Sequence, residues 1–392
     1  MPDRAQKVSP AARLFLTALA AFSGGFLLLS VVPLYAARPD GGGPAAGLAT
    51  GAFMLSTVSA QLAMPWLLPR TGYRTAMALG LIFLGLPAFL YLWTQSLASL
   101  LAVTLVRGLG FGIVTVVGSA AVADLFPAGR RGEGIGLYGI AVGLPALFCL
   151  PLGVWLAGAA GFGPVFLLGA AAPLLGLLAA AGISIRTPEA RTGNGHVLRG
   201  MGRRALLLPT ATFTSVTIAA GVVITFLPLA ASGTGSAAAG LFCMGAASTA
   251  ARWWAGRFGD RHGPQRLLLP GLLVASAGML ILALSGASAT ALAGGALLFG
   301  AGYGTMQNAT LAVMFDRVPP GEYGLASTLW NVAFDAGTGL GAASFGFIVE
   351  AAGFGPAFAL SAALMILATG AVRLDAPHGR AAGSRRSPGR SQ

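Results

Sequence analysis

Twelve apolar runs, each about as long as a bilayer core is thick, leave this chain few ways to fold. They lie near residues 14–36, 45–68, 74–94, 98–124, 133–157, 162–184, 205–231, 236–256, 267–285, 289–315, 323–348 and 355–373. A helix needs roughly 20 such residues to cross the hydrocarbon. The runs are too long for strands, and in lipid only a helix or a closed barrel satisfies its backbone. Composition agrees: of 392 residues, 56% are hydrophobic and 9% charged, where a soluble domain carries roughly a quarter charged. The expected fold class is therefore an all-α membrane protein with twelve transmembrane helices.

The net charge of +13 does not form a patch interleaved with aromatics, so nucleic-acid binding is not expected. The basic residues recur in short clusters between every second pair of runs: Arg4, Lys7 and Arg13, then Arg70 and Arg74, Arg130 and Arg131, Arg199 to Arg204, Arg257 to Arg266, and Arg380 onward. The alternate connections hold Arg38 and little else. By the positive-inside rule both termini are cytoplasmic, in a multi-pass protein of the plasma (inner) membrane. The first run is longer than a signal-peptide core and reads as a helix that is kept. Cys149 and Cys243 both lie in apolar runs, which argues against a disulfide framework.

The sequence repeats itself. GFGPVF at 161–166 returns as GFGPAF at 353–358, RGLGFG at 107–112 aligns with FGAGYG at 299–304, and Asp124 and Pro127 align with Asp316 and Pro319. Two six-helix bundles related by pseudo-symmetry follow: residues 1–184, a cytoplasmic linker at 185–203, residues 204–373, and a basic, low-complexity tail at 374–392. Such duplication suits two halves rocking about a central site.

Between the eighth and ninth runs stands GRFGDRHGPQR, residues 256–266. Glycines here allow a tight turn, and Asp260 can face the positive end of a helix. The equivalent turn of the first half holds Arg70 and Gly72, aligned with Arg261 and Gly263, but has Pro65 and Pro69 where the second copy has Gly256 and Asp260. Gly256, Gly259, Asp260, Arg261, Gly263 and Arg266 match the G-x-x-x-D-R-x-G-x-[RK] loop of the major facilitator superfamily, which the chain resembles over all twelve runs. The expected role is a conformational latch, with Asp260 against the start of the fifth helix and Arg257 or Arg261 bridging to Glu133 while that side is closed.

Ionisable residues at membrane depth are functional candidates because their insertion is expensive. Asp335 and Arg107 stand out, and their aligned positions, Gly143 and Phe299, show that the repeat does not demand a charge at either. Asp335 follows Asn331 by one helical turn, among Gly337, Gly339 and Gly341. It is the expected proton carrier. Arg107 resembles the superfamily's fourth-helix arginine, which implies a part in proton transfer or in controlling a nearby acid. In the fifth run Gly139, Gly143, Pro145, Pro151 and Gly153 partly resemble the glycine-proline pattern of exporting antiporters.

The resemblance also implies that the first, fourth, seventh and tenth helices line the cavity. Their candidates are Phe26, Ser30, Phe111, Thr115, Phe213, Thr217, Tyr303, Gln307 and Asn308, with Trp330 joining from the eleventh. Aromatics with scattered amides and hydroxyls suit an amphipathic organic molecule. No H-E-x-x-H or P-loop occurs, and His196, His262 and His378 lie in loops or the tail, so neither an enzyme, a metal site nor a cofactor is expected. The expected function is secondary transport, proton-coupled export of a small organic molecule by a monomer whose partners are cargo, protons and lipid. Import or facilitated diffusion is the alternative, and a non-transporting receptor or assembly factor on the same scaffold the second.

Overall fold

The computed structural model describes residues 9–38, 41–126, 131–181, 204–286, 288–319 and 322–383. Helices dominate throughout, and no strand occurs among the described residues. The first helix, α1, is Pro10–Leu29, broken at Ser30 and resumed as Val31–Ala36. A continuous stretch, Gly42–Gly85, bends at Gly72 into α2 (42–71) and α3 (73–85), which tightens into a 3-10 helix at Leu86–Trp93. Then come α4 (Leu97–Leu125), α5 (Arg131–Ala160) and α6 (Phe162–Ala180). The second half has α7 (Arg204–Ala230), α8 (Thr234–His262), a 3-10 turn (Pro264–Leu267) and α9 (Leu268–Leu284). It ends with α10 (Ala289–Asp316), α11 (Tyr323–Ala352) and α12 (Phe354–Gly383). The expected linker lies outside the described residues. α12 continues ten residues beyond 373, where the sequence reading begins a tail.

Local chemistry sets the helix ends. Ser96 and Ser99 form a reciprocal capping box at the start of α4. Ser288 accepts the Ala291 N–H at the start of α10. The turns of the two halves match in backbone as well as sequence. Gly72 and Gly263 have φ of 72° and 88°, and Gly161 and Gly353 have φ of 82° and 86°. Only glycine enters that region without penalty, so the aligned glycines are dictated by the turn itself.

Eight stretches, one of them Gly42–Trp93 holding both α2 and α3, are long and apolar enough to cross a membrane. Neither α8 nor α10 is among these. Arg252, Arg257 and Asp260 interrupt α8, and Gln307 and Asn308 interrupt α10. Their deficit of apolar residues is the first sign that both face something other than lipid.

Within each half, α4 packs on α2 and α3 as α10 packs on α8 and α9. The halves meet along two helix pairs, α2 with α11 and α5 with α8. At one end glycines of one helix lie against the backbone and small side chains of the other. A Cβ added at Gly43, Gly47 or Gly51 of α2 would come under 3.0 Å from Gly346, Ala342 or Ala343 of α11. The Glu350 carboxylate accepts the Gly43 N–H at 3.2 Å, and Thr50 bonds Thr225 of α7 at 2.9 Å. Across the other pair, Gly158 of α5 lies against the Thr234 side chain that begins α8.

Towards the end that carries the Gly72 and Gly263 turns, the contacts stop. Gly136, Gly139 and Gly143 of α5 have no neighbour within 4 Å of an added Cβ. Trp66 of α2 and Trp253 and Trp254 of α8 are exposed. The molecule is sealed at one end and parted at the other, with the arginine-rich turns beside the opening.

Candidate functional site

Asp335 lies in α11 near the foot of the glycine seam and is 6% exposed. Its Oδ2 accepts a 2.7 Å hydrogen bond from Nε2 of Gln61 in α2, so the acid is held from the opposite half. The Gln61 Oε1 has no partner. Asn331, one turn earlier, turns its amide back to the Ser327 carbonyl at 2.8 Å. The three glycines after Asp335 serve two neighbours: Gly337 and Gly341 seat α7 at Thr217 and Ile218, and Gly339 seats α2 at Met54.

Arg107 is 2% exposed inside the first half. Its Nε donates to the Leu84 carbonyl at 3.2 Å and its Nη1 to the Tyr91 hydroxyl at 3.3 Å, while Nη2 has no partner. The guanidinium also stands 5.6 Å from the Phe53 ring centroid and 5.4 Å from that of Tyr91. Every partner belongs to its own half. The two charges singled out in the sequence thus have separate surroundings, with no hydrogen bond between them.

The expected cavity residues divide into two aromatic groups, one per half. Phe26 and Phe111 stand 6.0 Å apart in the first, with Phe22 and Phe53 each within 5.5 Å of Phe111. In the second, Phe213 stacks on Trp330 at 4.7 Å, and Phe334 bridges Trp330 to Tyr303 at 5.7 and 6.3 Å. Trp330 Nε1 donates to Thr310 at 3.1 Å, which fixes the indole. Gln307, one turn after Tyr303 on α10, is buried.

Other candidates are occupied elsewhere. Thr217 donates to the Ala333 carbonyl at 3.1 Å and joins α7 to α11. Thr115 bonds the Phe111 carbonyl of its own helix at 2.8 Å. Ser30 is fully buried at the break in α1, its hydroxyl unpartnered. Asn308 lies beneath Gly256 and, with Ala312 and Asp316, forms one wall of a polar cleft whose other wall is Gly256, Gly259, Asp260, Gly263 and Pro264. Here Asp260 faces α10 of its own half. Arg261 and Arg266 are exposed, and the Glu133 side chain lies outside the described residues. In the first-half turn Arg70 folds over Trp66, 4.4 Å from the ring centroid, and Tyr73 bonds the Asp124 carboxylate.

The family model of the Major Facilitator Superfamily matches residues 14–252 and 211–391. The chain belongs to that superfamily. Solved superfamily structures share its fold at low identity. A bacterial homolog of the human lysosomal transporter Spinster, inward-facing and unoccupied, superposes with a TM-score of 0.76 at 15% identity, over 99% of this chain and 100% of that one. A POT family transporter in complex with 5-aminolevulinic acid also gives 0.76, at 12% identity, over 94% and 96%. A search of curated protein sequences finds no match.

Two polar residues of this superfamily transporter escaped the sequence reading. Gln61 is the partner of Asp335. Arg252 of α8 is exposed within its helix, in electrostatic range of Tyr303, which is also in range of Asp335. The repeat held the signal for both, since the offset that pairs Gly72 with Gly263 also pairs Gln61 with Arg252.

Proposed function

We propose that this transporter exports a small amphipathic organic molecule in exchange for protons. The observation that carries the reading is the buried carboxylate of Asp335, held by Gln61 where the two halves meet. A group there changes its surroundings whenever the halves rock, so proton uptake and release are tied to the same motion that exposes cargo.

The basic turns make the parted end cytoplasmic, so the described conformation receives cargo from the cell. Cargo enters between the aromatic groups of Phe26 and Phe111 on one side and Tyr303 and Trp330 on the other. The halves then close over the turns while the glycine seam opens, and Asp335 takes up a proton from outside. Return to the present state delivers it inward. Gly139, Gly143, Pro145 and Pro151 in α5 support the outward direction through their likeness to exporting antiporters. The turn at Gly256–Arg266 acts as the latch of the closed cytoplasmic side, released here.

The test is to profile small molecules in medium and cytoplasm of cells lacking or overproducing the protein, with and without a protonophore. Export predicts a compound that accumulates outside on overproduction and ceases to do so when the gradient collapses. A compound drawn out of the medium would make the protein an importer. No difference would favour a receptor-like role.

A further inference from the structure

One cation has no task in this mechanism. Arg252 stands one helical turn, about 6 Å, before Gly256, where the eighth apolar run ends. An arginine so placed reaches water by folding back along its own helix. Arg257, nearer the turn, shows the ordinary solution: it lies over Trp253, 3.6 Å from the ring centroid.

The direction in which Arg252 faces follows from its neighbours on α8. Ser248 and Gly256, one turn to either side, seat on α10 at Gly304 and Asn308. Gly245, two turns back, meets Leu147 of α5. Arg252 therefore faces the space between α5 and α10, where α5 has withdrawn and Gly143 has nothing near it. The residue is exposed there, and among the described residues it has no hydrogen bond or ion pair. The guanidinium turns into the gap between the halves, and no packing contact explains that choice. What it faces is the opening through which cargo enters, with Tyr303 in electrostatic range.

We infer that Arg252 is a cargo-binding residue that takes the carboxylate of an apolar or aromatic monoanion, whose body lies against Tyr303, Trp330 and Phe334. A guanidinium presents two parallel donors to a carboxylate. A single cation matches a single anionic group, and the stacked rings supply the apolar surface. This rests on the transporter reading and deepens it by naming the cargo class.

The experiment measures binding to the purified full-length chain in detergent by titration calorimetry, with 2-naphthoate, 2-naphthamide and 2-naphthylmethylammonium as probes. The expected result is 2-naphthoate bound about tenfold or more tighter than the neutral amide, the range of a charge-assisted hydrogen bond. R252Q should abolish that preference while binding 2-naphthamide as before, which also shows that it folds. R252K should keep part of the preference. A parent chain without preference for the anion, or a preference that survives in R252Q, overturns the proposal. The measurement uses no gradient. A chain that prefers the anion through Arg252 yet exports nothing would sink the export reading alone.

Discussion

Gln61 of α2 donates a 2.7 Å hydrogen bond to Asp335 of α11, and its counterpart in the repeat is Arg252 of α8. One pseudo-symmetric position thus steadies an acid in the first half and presents a free cation in the second. The two scaffolds are alike, and the polar residues at this one position are not.

Asp335→Asn should keep the hydrogen bond to Gln61 while removing the titrating group. Uphill, gradient-driven transport in proteoliposomes is expected to fall at least tenfold, with cargo exchange across equal gradients preserved. Full uphill transport by the variant would show that the proton travels elsewhere.

Gln61→Leu leaves the Asp335 carboxylate without its donor. Losing a hydrogen bond to a buried charged group costs about 1.5–3 kcal/mol, and the loss falls only on the conformation in which α2 and α11 touch. The expected outcome is a shift towards the opposite conformation, read as increased reactivity of cysteines introduced along the seam. Unchanged reactivity would mean that the contact does not distinguish the states.

Thr50→Cys with Thr225→Cys, in a background with Cys149→Ser and Cys243→Ser, should cross-link on oxidation because those side chains touch across the halves. The cross-linked protein is expected to lose transport and to regain it on reduction. Transport that persists through complete cross-linking would remove the seam from the cycle.

Arg107→Lys keeps the charge but cannot reach both the Leu84 carbonyl and the Tyr91 hydroxyl. A loss of about 1–3 kcal/mol in stability is expected, measured as a lower Tm in detergent, with transport reduced about tenfold. Tyr91→Phe, which removes one acceptor, should give a smaller shift of the same sign. A lysine variant as stable and active as the parent would show that charge alone matters there.

Glu350→Gln weakens the carboxylate cap on the first turn of α2. A helix N-terminus favours an anion by about 0.3–1 kcal/mol, so a severalfold drop in the population of the sealed end is expected. Cross-linking rate at the Thr50 and Thr225 pair is a suitable readout, and an unchanged rate would assign Glu350 no part in sealing.

The helices were legible because a lipid span needs a long apolar run, and the turns because Gly72, Gly161, Gly263 and Gly353 are forced by backbone geometry. Asp335 was legible because an acid at that depth is out of place. Gln61 was not, because a neutral amide in a helix does not announce a partner 274 positions away. Arg252 was hidden by its company: in ARWWAGRFGDR it reads as one more charge at a membrane edge. Only the packing of Ser248, Gly256 and Gly245 shows that it faces the opening. The 3-10 stretch at Leu86–Trp93 and the break at Ser30 also left no clear mark, since both lie inside uninterrupted apolar sequence.

The seam of Gly43, Gly47 and Gly51 against Gly346 and Ala342 has a kinetic consequence. Surfaces of glycine and alanine have almost no rotamers to rearrange and few interlocking knobs to withdraw. They separate by tilting alone and re-form without searching for a register. Grip is left to a few polar points, Glu350, Thr50 and Gln61 among them, each weak enough to break in turn. A fastening of that kind favours turnover over residence.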